Sequence, residues 1–93
     1  MFVRVVRFTG VDTQRVESLL GDMESGGPPP GVKAHSMQMM LDADQGTAVV
    51  VQLFDSAEDM RESEAALDGM DPSETPGTRA SVDRGELKLD LKM

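Results

Sequence analysis

The sequence predicts an α+β domain in which two helices cover one face of a four-stranded antiparallel sheet. Two stretches rich in β-branched and aromatic residues, Met1–Phe8 and Thr47–Phe54, are typical of strands. Each is followed by a helix-starting signal and an amphipathic repeat. Two further stretches, 32–41 (VKAHSMQMML) and 86–93 (ELKLDLKM), alternate along the chain as strands with two unequal faces do. The length of 93 residues allows one domain, spanning 1–93.

Each predicted helix begins after a residue that can cap it. Asp12 precedes the first helix, and Ser56 with Asp59 three residues later resembles a capping box at the start of the second. Gly69 is a suitable end for the second helix. The first carries an apolar stripe at i, i+3, i+4 and i+7, formed by Val16, Leu19, Leu20 and Met23.

Two proline-containing segments separate these elements. Pro28–Pro30 cannot continue a helix, so we interpret it as a stiff linker; a site for a partner that binds Pro-rich sequence is the alternative. The segment 71–81 has two prolines and no apolar periodicity, which predicts a loop.

The resulting order, β-α-β-β-α-β, predicts a ferredoxin-like plait. Two βαβ halves with right-handed crossovers place both helices on one face of the sheet. The β-branched run of Thr47–Phe54 indicates a central strand, while 32–41 and 86–93 would form the edges.

Composition argues against several classes of function. The net charge of −8, from 9 basic and 17 acidic residues, disfavours nucleic-acid binding and docking on an anionic membrane. The chain has no cysteine and a single histidine, so we expect neither a thiolate metal site nor a cofactor. The first ten residues are typical of a strand rather than a signal peptide, and we expect a cytoplasmic protein.

The sheet is predicted to have two apolar faces. Thr47–Phe54 is apolar on both sides, and either parity of Met1–Phe8 gives an apolar side. Because two helices cover only one face, the second would be exposed unless a second copy covers it. We expect a homodimer with facing sheets, a dimeric α+β barrel. Gln52, with Val50 and Phe54 on its parity, marks either this interface or a pocket, and we place all three at the interface.

The only histidine is predicted to lie on the same face of a strand as two methionines. His35 shares it with Met37 and Met39, so it could border a pocket as a general base; a structural histidine on an edge strand is the alternative. Arg7, near the open end of the first strand, could bind an anionic group of a ligand or form a salt bridge. These four residues are the predicted pocket residues.

Two segments, FVRVVRF at the start and AVVVQLFDSAEDMRESEAAL after the turn, resemble the dimeric α+β barrel superfamily. More narrowly, the chain is similar to the antibiotic biosynthesis monooxygenase domain. The resemblance implies a homodimer with a pocket between sheet and helices in each subunit. It also implies cofactor-independent oxygenation of aromatic metabolites, or haem binding. The Trp, Tyr, Asn and second-helix His used by such relatives are absent from this chain.

Three hypotheses of function remain. The first is a small monooxygenase that acts on an apolar or aromatic metabolite. The second is a non-catalytic dimer of the same fold, a ligand-binding or structural module. The third is a plait that binds another protein through Pro28–Pro30 or the acidic second helix. The resemblance favours the first, although a fold alone does not establish chemistry.

Overall fold

The computed structural model describes residues 1–26, 31–69 and 75–92. Its elements, in chain order, are β1 (Phe2–Thr9), α1 (Thr13–Gly26), β2 (Ser36–Asp42), β3 (Thr47–Phe54), α2 (Ala57–Asp68) and β4 (Thr78–Glu86). Pro28–Pro30 and part of the predicted loop at 71–81 lie outside the described residues. Neither α1 nor α2 is long and apolar enough to cross a membrane.

The four strands form one antiparallel sheet in the order β2-β3-β1-β4. β3 pairs with β1 from Phe2–Phe54 to Phe8–Ala48, so these two strands are central. β2 and β4 form the edges. The predicted α+β plait with βαββαβ order is therefore confirmed.

Both predicted helix caps are present. The Asp12 carboxylate accepts a hydrogen bond from the backbone N–H of Gln14 at 2.9 Å. Ser56 Oγ accepts one from the backbone N–H of Asp59 at 3.1 Å, and Glu58 and Asp59 lie in the first turn of α2, where negative charge suits the helix dipole. Gly69 ends α2 with φ −85°, so this cap does not use the left-handed conformation.

The last strand differs from its prediction. β4 is Thr78–Glu86, and residues 87–92, predicted as the core of this strand, follow it without forming one. The last pair of the ladder with β1 is Phe2 with Glu86, and one further hydrogen bond runs from the backbone N–H of Leu87 to the carbonyl oxygen of Met1. Beyond Leu87, no strand among the described residues pairs with this segment, and Leu89 and Leu91 remain 71% and 69% exposed.

A register shift explains why β4 lacks a readable alternation. The pairing with β1 shifts between Arg7 and Phe8, so that Phe8 pairs with Arg79 while Arg7 pairs with Ser81. Such a bulge puts residues of different parity on one side of the strand. β2 is shorter than predicted, beginning at Ser36 rather than 32.

The two sides of the sheet have different neighbours. The side that faces the helices, called the covered side here, holds a core centred on Val6, Phe8 and Val50. Partly buried apolar residues pack against this centre: Val11, Met37, Met39 and Val82. The opposite side, called the open side, carries the alternate residues of the central strands: Val3, Val5, Val49, Val51 and Leu53. All five are only half-buried.

Val50, Gln52 and Phe54, which the sequence analysis places at a dimer interface, lie on the covered side of the sheet. They pair across the strands with Val6, Arg4 and Phe2, on the covered side. Each is buried within the single subunit, at 7%, 3% and 0% exposure. The covered side is therefore occupied within the subunit at these three positions, whereas the apolar residues of the open side are only half-buried.

The start of β4 passes so close to β1 that only glycine fits at residue 77. A Cβ there would overlap the carbonyl oxygen of Thr9. We therefore expect Gly77→Ala to lower the free energy of unfolding by about 1–3 kcal/mol, as overpacking does.

Gly21 provides the matched control. It lies within α1, and a Cβ there would meet nothing within 4 Å. Gly21→Ala should raise the free energy of unfolding by about 0.5–1 kcal/mol, because alanine favours the helix. Urea denaturation followed by circular dichroism measures both variants. Opposite signs are expected, and stabilisation by both would contradict the close approach at Gly77.

Candidate functional site

A cavity of about 920 Å³ lies between the covered side of the sheet and the two helices. Its wall is mostly apolar and includes Val6, Phe8, Met37, Met39, Leu19 and Met23. Along α1, Val16 is buried, whereas the next residues of its apolar stripe line the cavity or are exposed. The cavity therefore occupies space that a fully packed helix would fill.

Two of the four predicted pocket residues line this cavity and two do not. Met37 and Met39 do. His35 precedes β2, and its exposed ring has Nδ1 at 3.3 Å from Asp55 Oδ1. Arg7 is exposed and pairs with Val49, which places it on the open side. The geometry thus does not bring His35 or Arg7 to the cavity.

The sequence prediction missed the most unusual cavity residue, Arg4. It lies on the central strand β1, lines the cavity and is only 3% exposed. Its Nη1 donates a hydrogen bond to Gln52 Oε1 at 3.0 Å, directly across the β1–β3 pair. The signal was present in the sequence: Arg4 is a charged residue on the apolar parity of Val6 and Phe8.

An arginine–aspartate cluster lies beside Arg4. Asp68, at the end of α2, accepts a hydrogen bond from Arg79 Nη1 at 2.7 Å, and the same oxygen lies 3.7 Å from Arg4 Nη2. The hydrogen bond from Arg79 lowers the pKa of Asp68, and the charges of the neighbouring arginines act in the same direction. This cluster joins α2, β1 and β4 at one end of the cavity.

The side chains that could hold a metal ion are not clustered in the described residues. Across 1–26, 31–69 and 75–92, no group of three or more His, Asp or Glu side chains is arranged to hold a metal ion. The acidic side chains of the cavity wall include Asp68, which is already paired with Arg79. Besides its apolar side chains, the wall holds two buried polar groups, the guanidinium of Arg4 and the amide of Gln52, and it includes the charged residues Arg15, Asp22, Asp68 and Arg79.

Two solved structures share this architecture over nearly the whole chain. One, from Chloroflexus aurantiacus, is described as a candidate antibiotic biosynthesis monooxygenase; it superposes with a TM-score of 0.60 at 13% identity, covering 98% of this chain and 96% of its own. A second structure, from Deinococcus radiodurans, is described in the same terms. It superposes with a TM-score of 0.60 at 12% identity, covering 100% of this chain and 98% of its own.

The chain has the fold of these two proteins. The resemblance inferred from the first strand and from the β3–α2 segment is thereby confirmed at the level of the fold. No family model matches the sequence, and no curated protein does. At such low identity the likeness carries the fold alone, so the chemistry must be argued from the cavity.

The paired state of Asp68 predicts a pH-dependent contribution to stability. Its pKa is lower in the folded chain than in the unfolded chain, so the stabilisation is present above the ordinary Asp pKa of ~3.9 and is lost as pH falls through the folded value. Asp68→Asn should therefore lower the thermal midpoint at pH 7 and make little difference near pH 3. Because Asp68 is half-exposed, we expect an effect below about 1 kcal/mol.

Asp44→Asn is the control, because it removes the same charge from an exposed turn. In a chain of net charge −8, removing a carboxylate also reduces general repulsion, and this variant measures that contribution. Equal midpoints for the two variants at every pH would contradict a specific role of the Asp68–Arg79 pair.

Proposed function

We propose that this chain is a small cytoplasmic homodimer whose subunits each bind an apolar or aromatic metabolite and act on it as a cofactor-independent monooxygenase. The observation that carries the proposal is the cavity between sheet and helices. Its volume of about 920 Å³ is within the ~300–1,000 Å³ range of small-molecule sites. An apolar wall with a few buried polar groups is the composition such sites share.

Cofactor-independent oxygenation requires a site that stabilises an anion, and this cavity contains a group able to do so. Without a cofactor, the substrate itself must reduce O₂. For a ring CH₂ group between two aromatic rings, one oxygen atom forms the new C=O, and the other leaves as water with the two hydrogens. The reaction begins with loss of a proton, so the cavity must stabilise an anion. A buried guanidinium, that of Arg4, is a group able to do so.

The proposed reaction is tested with a dihydroxyanthrone, a phenol that contains such a CH₂ group, and isotope-labelled O₂. We expect the protein, treated with a chelator, to speed O₂ uptake and to place one labelled atom in the product. Leu19→Asp, which puts a carboxylate in the cavity wall, should slow the reaction. Leu20→Asp, on the exposed side of the same helix, should not.

Two outcomes decide between the functions. If O₂ uptake equals that of the protein-free solution while the phenol binds the protein, monooxygenase activity on this class of substrate is contradicted. The non-catalytic ligand-binding dimer is then the better description. If the phenol does not bind, the cavity is not the site.

The homodimer is supported by the apolar open side and by the C-terminal segment. Val51 and Val5, paired at the centre of this side, are half-buried, and they lie on the side of the sheet opposite to α1 and α2. Residues 87–92 alternate like a strand, and Leu89 and Leu91 are exposed. A second copy seated on the open side would bury the valines, and its edge would offer this segment a partner. This arrangement would form the α+β barrel.

Val51→Lys tests this assembly. A lysine at the centre of the open side would have to be buried in the dimer, so we expect the variant to be monomeric. The unmodified chain should have twice the 10.0 kDa chain mass by light scattering at micromolar concentration. Gln14→Lys adds the same charge at an exposed position of α1 and should leave the dimer intact. A dimeric Val51→Lys protein would contradict the assignment of this face.

A further inference from the structure

Arg4 is a cation in a position where an apolar residue would be expected. It lies on a central strand, on the covered side of the sheet, between Phe2 and Val6. Burial of a charged group is strongly unfavourable unless partners replace the lost water. A strand of this composition can place an apolar residue here at no such cost. The arginine therefore requires an explanation beyond the packing of the core.

The described neighbours compensate this charge only in part. Gln52 Oε1 accepts one hydrogen bond, but an amide carries no charge. Asp68 Oδ1 is 3.7 Å from Nη2, beyond hydrogen-bond distance. Nε is buried and has no acceptor among the described residues. In agreement, desolvation lowers the pKa of Arg4 from its ordinary value, although an arginine stays protonated near neutral pH.

Two carboxylates near Arg4, those of Asp68 and Glu64, are shared with other arginines, and the negative charge of Glu64 opposes the effect of desolvation on the pKa of Arg4. Asp68 accepts its short hydrogen bond from Arg79. Glu64 Oε1 lies 3.5 Å from Arg84 Nε, on the strand that pairs with β1. Neither carboxylate is hydrogen-bonded to Arg4. These charges compensate the burial of Arg4 in part, and its Nε is left without an acceptor among the described residues.

We propose that Arg4 and Gln52 form an oxyanion subsite in the cavity, and that the ligand is an aromatic or otherwise apolar molecule bearing an anionic oxygen. This deepens the proposed function, on which it rests. The guanidinium neutralises the oxygen and donates to it. Because the oxygen of the Gln52 amide is held by Arg4, its nitrogen is the atom left to donate. Apolar walls such as Met39 and Phe8 contact the rest of the molecule.

This subsite explains how an acidic protein can select an anion. The net charge of −8 repels anions at long range, so affinity must come from contacts inside the cavity. There a charge-assisted hydrogen bond is stronger than in water because the surroundings are apolar. The apolar walls bind the hydrocarbon part of any ligand, and Arg4 distinguishes the anionic ligand from its neutral counterpart.

Two fluorescent probes of one skeleton separate these contributions. Anilinonaphthalene sulfonate carries an anionic group, and N-phenylnaphthylamine is the same hydrocarbon framework without it. The neutral probe reports the cavity, and the ratio of the two affinities reports the subsite. Leu19→Asp should weaken binding of the neutral probe, while Leu20→Asp should not, which locates binding in the cavity.

The unmodified protein should bind the anionic probe more tightly than the neutral one. Arg4→Met should reduce this preference by about tenfold or more while leaving the neutral probe bound. Gln52→Glu is the second variant and does not depend on removing Arg4. It places a carboxylate where Gln52 Oε1 now lies, 3.0 Å from Arg4 Nη1, so the preference should again be lost. Circular dichroism verifies the fold of both.

The possible outcomes distinguish the Arg4–Gln52 subsite from the proposal that the cavity binds a ligand at all. If neither probe binds the unmodified protein, the cavity site and this subsite are both overturned. If the neutral probe binds and the anionic probe is not preferred, or if Gln52→Glu keeps the preference, the subsite alone is overturned. Equal weakening of both probes by Arg4→Met would indicate a structural role for Arg4 and would also overturn it.

Discussion

The pairing of β1 with β3 is the interaction on which the rest of this molecule depends. These two strands form the centre of the sheet, and their alternate residues are apolar on both sides. Two helices can cover one side only, and they cover it incompletely. α2 contributes the buried residues Met60 and Ser63, and α1 contributes Val16. The same constraint therefore produces an open apolar side and a cavity beneath the helices.

Local signals were sufficient to predict most elements. β1 and β3 are rich in β-branched residues, and Ser56 and Asp12 cap the helices through short-range hydrogen bonds. These features depend on residues within a few positions of each other, so a single sequence contains them. The order of elements then follows from the connections, and with it the plait.

The last strand could not be predicted in this way, because its pairing is decided by β1. β4 ends opposite Phe2, the first residue of β1, although the alternating pattern of the chain continues beyond Glu86. Its register shift breaks the alternation, and its covered side carries Arg79 and Arg84 beside Val82. The alternating pattern of residues 87–92 predicted a strand, but such a pattern shows only that a segment is able to pair in a sheet. It does not identify a partner within the same subunit.

The candidate site depended on a choice that the sequence leaves open. In β1 one parity contains Val3, Val5 and Arg7, and the other contains Arg4 among apolar residues. Either could face the helices, so a prediction of which arginine meets the cavity needs the tertiary structure. Gln52 was correctly identified as an amide that needs partners. The sequence does not decide whether Gln52 meets an interface or a pocket; in the structure it lies directly opposite Arg4 and lines the cavity.

Residues of the covered side and of the open side alternate along each central strand, so a restraint on one side also acts on the other. Arg4 lies between Val3 and Val5, and Gln52 lies between Val51 and Leu53, so each cavity residue is flanked by residues of the open side. The guanidinium of Arg4 and the amide of Gln52 bind one oxygen atom well only if the distance between them is fixed before the ligand binds. A second copy packed on the open side would restrain both strands at these flanking positions. Dimerisation would then do more than cover apolar surface, because it would also hold the side chains of Arg4 and Gln52 at a fixed separation.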